Sequence, residues 1–424
     1  MILLISVIFI LGYAAIALEH PIRINKAASA ILAGVLCWTV YALFTENKEA
    51  VSENLMEHLG EVAGILFFLM GAMTIVELID AHDGFELITE RVTTTNKKKL
   101  VWIVAFITFF LSAILDNLTT TIVIISLLRK IITDKKERMM FAGLVVIAAN
   151  AGGAWSPIGD VSTTMLWIGG QITSGNIIIR TFLPSLVCLL VPTAVVSAGM
   201  KGNISKEKLE NLEENSNNIA NKKQRNMVFW IGVGSLVFVP VFKTITHLPP
   251  YMGILFGLGT MWVITEMIHS GRDEEEKGFL SVNHALRKID TPSVLFFLGI
   301  LLCVASLQVT GVLAEVAGWM DDKIGNINAV TIIIGLLSAI VDNVPLVAAA
   351  QGMYHYPTDH YFWEFLAYCA GTGGSSLIIG SAAGVVAMGL EKIEFFWYLK
   401  KIAWLALIGY LAGAAIFILQ EYLY

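Results

Sequence analysis

Charged residues are scarce in this chain, since Asp, Glu, Lys and Arg make up only 15% of its 424 residues. Soluble domains carry about a quarter of such residues. The longest polar stretch, 201–226, is too short to form a soluble domain. Hydrophobic residues make up 56%, and apolar runs such as 252–268 and 402–419 are long enough to span a bilayer. The composition therefore predicts a polytopic all-α membrane protein whose main partner is the lipid bilayer.

Signals of several enzyme classes are also absent. Neither an HExxH spacing nor an ATP-binding loop of the GxxxxGKS or GxxxxGKT type occurs in the sequence. The cysteines lie in apolar segments without a CxxC motif, so we interpret them as packing residues; they are Cys37, Cys188, Cys303 and Cys369. We therefore expect a protein that is not an enzyme, has no resident cofactor and has no nucleic-acid partner.

Residues 1–18 allow two interpretations. They resemble a signal peptide in ending with small residues at Ala15 and Ala17, but they lack a basic segment in front of the apolar run. The missing basic segment favours an uncleaved first membrane helix.

A hexapeptide occurs twice in the chain with one difference. SAILDN at 112–117 returns as SAIVDN at 338–343, and each copy places Asp-Asn inside an apolar stretch. Asp116 and Asp342 are therefore candidate intramembrane carboxylates, which are costly and usually functional. Both could instead cap a helix. Ser or Thr would cap equally well without a buried charge, so a functional role is favoured, in a transporter built from two related halves.

Regular spanning segments are separated by four irregular ones. The regular segments lie near 1–18, 27–45, 61–81, 177–198, 226–243, 250–269, 291–311 and 402–420. The irregular segments 100–128 and 329–352 surround the two Asp-Asn pairs. The irregular segments 139–170 and 362–390 are interrupted by Gly-rich stretches at 150–160 and 371–376.

The distribution of basic residues predicts the topology. We place the amino terminus outside and treat both Asp-Asn segments as re-entrant hairpins. The inner loops are then 19–26, 82–99, 129–138, 199–225, 270–290 and 391–401, and they hold 24 of the 28 Lys and Arg residues. Full crossings in place of hairpins would weaken this positive-inside bias. The hairpins therefore enter from opposite faces.

This topology divides the chain into two inverted repeats, 1–200 and 227–424, joined by a cytoplasmic linker at 201–226. Each repeat has three crossings, a re-entrant hairpin, a broken helix and a final crossing. The pair Gly152-Gly153 in the first break corresponds to Gly373-Gly374 in the second.

The Gly-rich breaks predict helix ends at the membrane midplane, where free carbonyls attract cations. Close packing of small residues is the alternative explanation. Asp160 closes the first break and is followed by Ser162 and Thr163, whereas the second break has Ser381 at the corresponding place. Asp160 could also be a simple helix cap. The first half is thus richer in oxygen ligands.

The candidate sodium ligands are Asp116, Asn117, Asp160 and Asp342, because carboxylate and amide oxygens suit hard cations. Asn343 and the Thr119 hydroxyl could contribute further oxygens. A desolvated carboxylate can hold either a proton or a cation near neutral pH, and this competition would couple the two ions. Glu77, one turn inside the end of its segment, is a candidate for a proton path or pH sensor. We expect the first half to bind the cation most closely, with Asp342 completing the site or carrying a proton.

Four stretches resemble the NhaD-type sodium/proton antiporters of the ion transporter superfamily. They are EHPIRINKAA (19–28), SAILDNLTTT (112–121), NAGGAWSPIGDVSTT (150–164) and SAIVDNVPL (338–346). The resemblance covers nearly the whole chain. It implies exchange of inward protons for outward Na⁺ or Li⁺ across a bacterial inner membrane at alkaline pH, pH homeostasis, and a homodimer. The site residues it implies are Asp116, Asn117, Asn150, Asp160, Ser162, Thr163, Ser338, Asp342 and Asn343, with Ser375 and Ser376 matched over a shorter break.

A sodium-coupled carrier of a dicarboxylate or another oxyanion is the main alternative on the same scaffold. Asp116 and Asp342 at the hairpin tips would repel an anion, which favours the antiporter. A channel or a receptor-like protein fits poorly with inverted, broken helices.

Overall fold

The computed structural model describes residues 1–89, 92, 94–204, 221–271 and 278–423. Within these ranges the chain forms helices and no β-strand. Eight of the described helices are long and apolar enough to cross a membrane. Helices suit this composition because each satisfies its own backbone hydrogen bonds in lipid. The prediction of an all-α, multi-pass membrane protein is confirmed.

The first half of the chain contains eight helices of eight or more residues among the described residues. They are α1 (Ile2–Ala17), α2 (Lys26–Phe44), α3 (Lys48–Ala81), α4 (Lys97–Leu115), α5 (Asn117–Ile131), α6 (Lys135–Ala154), α7 (Val161–Ile168) and α8 (Ser174–Gly199). The predicted interruptions are present, since α4 and α5 meet at Asp116 and α6 and α7 flank the Gly-rich stretch.

The second half repeats these interruptions. Among the described residues, its helices of eight or more residues are α9 (Lys222–Thr246), α10 (Pro250–His269), α11 (Thr291–Val309), α12 (Val312–Ile324), α13 (Ile327–Leu337), α14 (Asn343–Met353), α15 (Tyr361–Gly373), α16 (Ala382–Glu391) and α17 (Trp404–Leu423). Asp342 precedes α14, and the second Gly-rich stretch separates α15 from α16.

The structure differs from the expected segments in one boundary and in one additional helix. Helix α3 begins at Lys48 instead of near residue 61, because the Asn47 side chain accepts the Ala50 N–H and caps a polar extension. Helix α12 was not predicted; it lies between Gly311 and Gly325, which both adopt left-handed φ angles and so isolate it. Most of the predicted linker, 205–220, lies outside the described residues, and the division into two repeats stays a prediction.

Matching contacts hold each hairpin against its broken helix. The Ser112 hydroxyl donates to the carbonyl of Ala149 (2.6 Å), and the Ser338 hydroxyl donates to the carbonyl of Ala370 (3.0 Å). Gly152 lies against the Phe109 carbonyl in the first half, and Gly373 lies against the Gly335 carbonyl in the second. The glycines allow this approach because a Cβ atom would overlap the carbonyl. Each Gly-rich break, with its polar side chains, therefore lies beside an Asp-Asn hairpin.

Helices from the two halves also pack directly against each other. Helix α2 packs on α11, and α8 packs on α17. A Cβ atom on Gly34 of α2 would lie 2.6 Å from the carbonyl oxygen of Gly299 in α11, so both backbones need glycine at this crossing. Small residues permit such close helix packing in membranes.

A buried ion-pair cluster at Glu391 also joins the halves and yields a stability prediction. The Glu391 side chain is fully buried and accepts hydrogen bonds from Arg129 Nε (2.7 Å) and Arg138 Nε (2.6 Å). Glu391→Ala leaves two arginines without their buried partner. We expect a loss of ~3 kcal/mol, at the low end for breaking a buried pair because Arg129 remains partly solvated.

Thermal unfolding in detergent, followed with a thiol-reactive dye, checks this expectation because all four cysteines are buried and free. Glu421→Ala is the matched control, since the Arg180–Glu421 pair (3.2 Å) is partly exposed. Such pairs contribute about 1 kcal/mol or less. Equal losses in the two variants would contradict the assignment of Glu391 as a buried anchor.

Candidate functional site

Asp160 lies at the centre of a polar cluster that includes both Asn residues of the repeated motif. Asn117 Nδ2 donates to Asp160 Oδ1 (2.8 Å), and Asn343 Nδ2 donates to Asp160 Oδ2 (2.9 Å). Asp160 also caps α7, accepting the N–H of Ser162 (3.1 Å) and the Ser162 hydroxyl. Its side chain is buried. The expected helix cap is thus present, and the same carboxylate links the two hairpins.

Asn150 extends the cluster into the second break. Its Oδ1 accepts from Asn117 (3.0 Å), and its Nδ2 donates to Ser375 Oγ and Ser381 Oγ, each at 2.9 Å. Ser381 caps α16 as Asp160 caps α7. Asn150 therefore connects the first Gly-rich break to the second, and Ser381 joins the cluster although the sequence did not single it out as a site residue.

Asp116 and Asp342 cap the second arms of their hairpins. Asp116 accepts the Thr119 N–H (2.8 Å) and the Thr119 hydroxyl (3.0 Å). Its φ of +83° is unusual for a residue with a Cβ atom. Asp116 adopts this angle because it is the single residue between α4 and α5, so the chain must change direction there without a connecting loop. Asp342 accepts the Val344 N–H (3.4 Å) and lies 3.4 Å from the Lys26 ammonium.

A small cavity of about 80 Å³ brings these groups together. The charged and amide residues that line it are Lys26, Asp116, Asn117, Asp160, Asp342 and Asn343. Among the described lining residues, three carboxylates thus face one ammonium group. The predicted convergence of the two Asp-Asn motifs is present in the geometry.

Lys26 lines the site cavity, although it was not among the predicted site residues. In the sequence it is one of the basic residues of the predicted inner loop 19–26, which indicate only the topology. Its signal was its place at the first position of an apolar helix, within the stretch 19–28 that resembles the antiporters. Nothing local indicates a partner 316 residues away.

A larger cavity of about 360 Å³ adjoins the small one, and both include Met73, Val76 and Leu118 in their walls. Acidic residues dominate its charged lining, which consists of Glu77, Asp80, Asp83, Glu86, Asp290, Lys130 and Lys288. Glu77 lies 3.0 Å from the Lys288 ammonium and lines this larger cavity, not the site cavity. We call this larger cavity the acidic vestibule. It lies on the face that carries the predicted inner loops.

Other predicted residues occupy different places. The Ser338 hydroxyl bonds to the backbone carbonyls of Gly335 and Ala370, so it packs the hairpin and does not line the site cavity. Thr163 is fully buried beside Ser162, but it does not line the site cavity. Ser375 belongs to the Asn150 network, and Ser376 is buried next to it.

The arrangement offers oxygen ligands to a hard cation. Within the described residues, no group of His, Cys, Asp and Glu side chains has the geometry of a resident metal site. Amide donors and a serine hydroxyl hold the Asp160 carboxylate, while Asp116 and Asp342 accept backbone N–H groups at helix N-termini. Carboxylates that are held in this way and share a cavity can exchange one counter-ion for another.

Comparison with known proteins places the chain in a family. A family model described as "CitMHS: Citrate transporter" matches residues 2–366. "Sodium/proton antiporter 1" of Arabidopsis thaliana is 49% identical over 419 residues, which cover 97% of this chain and 71% of the relative. "Sodium/proton antiporter 2" of the same plant is 46% identical over 416 residues, covering 96% and 97%.

A bacterial protein extends this set. "Na(+)/H(+) antiporter NhaD" of Alkalimonas amylolytica is 29% identical over 441 residues, covering 96% of this chain and 88% of the relative. The chain therefore belongs to the citrate transporter family, and its relatives agree with the resemblance of its motifs to the NhaD-type antiporters.

Proposed function

We propose that this protein exchanges Na⁺, and also Li⁺, for H⁺ across its membrane by alternating access. The observation that carries the proposal is the convergence of Asn117 and Asn343 on the Asp160 carboxylate, in a cavity shared with Asp116 and Asp342. The names of the plant and bacterial relatives support the same pair of ions.

Competition at these carboxylates supplies the coupling. Desolvation favours the protonated form of a carboxyl group, whereas a bound cation favours the ionised form. A site that releases its proton to take up Na⁺ moves the two ions in opposite directions as it alternates between faces. No cofactor is needed for this step, and the transported ions are the only substrates we assign.

We assign the described structure to a state that faces the predicted inner side. The acidic vestibule leads from that side to the site cavity. On the predicted outer side, Lys243 Nζ donates to the Trp167 carbonyl at the end of α7 (2.7 Å), and Asp359 accepts from the Thr173 N–H (2.6 Å). Opening outward would break these contacts and close the vestibule, as expected for two inverted repeats moving around a midplane site.

Localisation and assembly complete the proposal. We assign a bacterial inner membrane, which the NhaD relatives support, although the two plant relatives have higher identity. We also assign the homodimer that the resemblance implies. The mass of the purified protein in detergent tests the dimer.

An oxyanion carrier is the second candidate because the matching family model is described as a citrate transporter. Citrate is a trianion at neutral pH. The described charged lining of the site cavity has three carboxylates, Asp116, Asp160 and Asp342, against the single ammonium of Lys26. That balance attracts cations and repels citrate.

Proton exchange in proteoliposomes tests the proposal with a pH-sensitive dye. We expect Na⁺ or Li⁺ to dissipate an imposed acid-inside gradient, and Asp116→Ala or Asp342→Ala to abolish the response. Asp134→Ala is the control, because Asp134 also caps a helix (α6) but lies in an exposed loop.

The absence of any Na⁺ response between about pH 7 and 9.5, where a strongly desolvated carboxylate loses its proton, would contradict the proposal. Sodium-dependent uptake of radiolabelled citrate would support the second candidate instead.

A further inference from the structure

Lys26 is held in place at both ends of the residue. It is the first residue of α2, its backbone N–H donates to Glu19 Oε1 (3.1 Å), and Asn25 caps the helix beside it. At the other end, Nζ lies 3.4 Å from Asp342 Oδ2 and 4.5 Å from the centre of the Phe296 ring. The ammonium group is therefore directed at the carboxylate of the second hairpin.

The ammonium group also stands between the site and an open cavity. Lys26 and Asp342 line both the site cavity and a neighbouring cavity of about 280 Å³, which Glu19 and Asp290 also line. The side chains of Lys26 and Asp342 are 31% and 21% exposed, so small ions can reach the pair. Among the described residues that line the site cavity, Lys26 is the single basic one.

We propose that the Lys26 ammonium is a tethered counter-ion of Asp342 that the transported cation displaces. This inference rests on the proposed Na⁺/H⁺ exchange and adds a residue that sets the affinity for Na⁺. In the state described here, Nζ occupies one side of the Asp342 carboxylate. A Na⁺ ion approaching the same oxygen is repelled by the ammonium, because like charges at a shared carboxylate oppose each other.

The displaced ammonium has other acceptors within its surroundings. The Glu19 and Asp290 carboxylates line the same neighbouring cavity, so Lys26 can turn toward them while Na⁺ occupies Asp342. The lysine thus neutralises Asp342 when no cation is bound and also weakens the binding of the cation. A lysine with a purely structural role would instead affect the amount of folded protein and leave the Na⁺ affinity unchanged.

The test is Na⁺-driven exchange in proteoliposomes at one fixed alkaline pH, with the half-saturating Na⁺ concentration and the maximal rate measured separately. For Lys26→Met we expect the half-saturating concentration to fall about tenfold, an order-of-magnitude effect of removing one like charge from the cation site. We expect the maximal rate to fall as well, because more tightly held Na⁺ leaves more slowly. Lys26→Arg keeps the charge and can pair with a carboxylate through two N–H groups, so the half-saturating concentration should stay the same or rise.

Lys97→Met is the matched control. Lys97 is likewise the first residue of a helix, α4, and pairs with a carboxylate, Glu137 (2.6 Å), but it does not line the site cavity. We expect its half-saturating concentration to equal that of the unmodified protein. Thermal unfolding of each variant shows whether it is folded, and Lys26→Gln provides a second neutral variant if Lys26→Met does not fold.

The outcomes separate this inference from the proposed function. If the unmodified protein shows no Na⁺ response, the proposed exchange itself is wrong. If it exchanges Na⁺ but a folded neutral variant at Lys26 has an unchanged or higher half-saturating concentration, the counter-ion role is wrong. An equal fall in Lys97→Met would also overturn it, since the effect would then be one of net charge.

Discussion

Asp160→Asn is expected to lower Na⁺-dependent proton exchange about 100-fold at limiting Na⁺ while the protein stays folded. Asparagine caps helices as well as aspartate does, so α7 should keep its N-terminal cap. The new amide group, however, would face the amide donors of Asn117 and Asn343, which now point at the Asp160 oxygens. The site would lose a charge and at least one of these hydrogen bonds. A loss of ~3 kcal/mol of cation binding, typical of bonds to a charged group, corresponds to about a 100-fold lower exchange rate at limiting Na⁺.

Asp134→Asn serves as the control for this prediction. Asp134 caps α6 by accepting the Glu137 N–H (2.8 Å), and its side chain lies outside the site cavity. We expect normal exchange in that variant. Measurable exchange by Asp160→Asn at close to the normal rate would show that Asp160 only shapes the break, and the site would have to be reassigned to Asp116 and Asp342.

Gly152→Ala and Gly373→Ala are each expected to lower stability strongly. A Cβ atom at either position would overlap a backbone carbonyl, that of Phe109 or that of Gly335. A carbonyl in a packed helix cannot turn away as a side chain can, so the hairpin and the broken helix would have to separate. Overpacking of this kind costs ~1–3 kcal/mol and sometimes more, and we expect the upper end here.

Two glycines without neighbours provide the comparison. Gly175 in α8 and Gly389 in α16 have no atom within 4 Å of an added Cβ. Alanine at these positions should be neutral or stabilising by up to ~1 kcal/mol, because alanine favours the helix. The thiol-reactive unfolding assay compares all four variants. Unfolding temperatures that do not separate the two pairs would show that the hairpins do not depend on this close contact.

The two hairpins show how far local sequence carries the prediction. Asp-Asn inside an apolar run indicated a helix break that carries a carboxylate, and the structure has such breaks before α5 and before α14, where Asp116 and Asp342 are half-buried. The Gly-rich stretches likewise predicted the ends of α6 and α15. These features depend on neighbouring residues, so a single sequence can reveal them. Helix α12 was missed because its acidic and small residues resemble those of an outer loop.

The partners of these side chains could not be predicted in the same way. Asp160 is hydrogen-bonded to Asn117 and Asn343, which are 43 and 183 residues away in the sequence. Asn150 is hydrogen-bonded to Ser381, which is 231 residues away. Which polar groups come into contact depends on how the helices cross. Glycines such as Gly152 and Gly373 set these crossings, but their effect is visible only when the helices are packed against each other.

The sequence by itself determined that this protein is a polytopic helical membrane protein with two Asp-Asn hairpins and two Gly-rich breaks. Composition and local residue patterns suffice for these features, because lipid admits few backbone structures and a buried charge in an apolar run is conspicuous. Only the tertiary structure decided that Asp160 is held by both asparagines and that Lys26 faces Asp342. Those contacts join distant parts of the chain, and their geometry arises from helix packing and not from any local pattern.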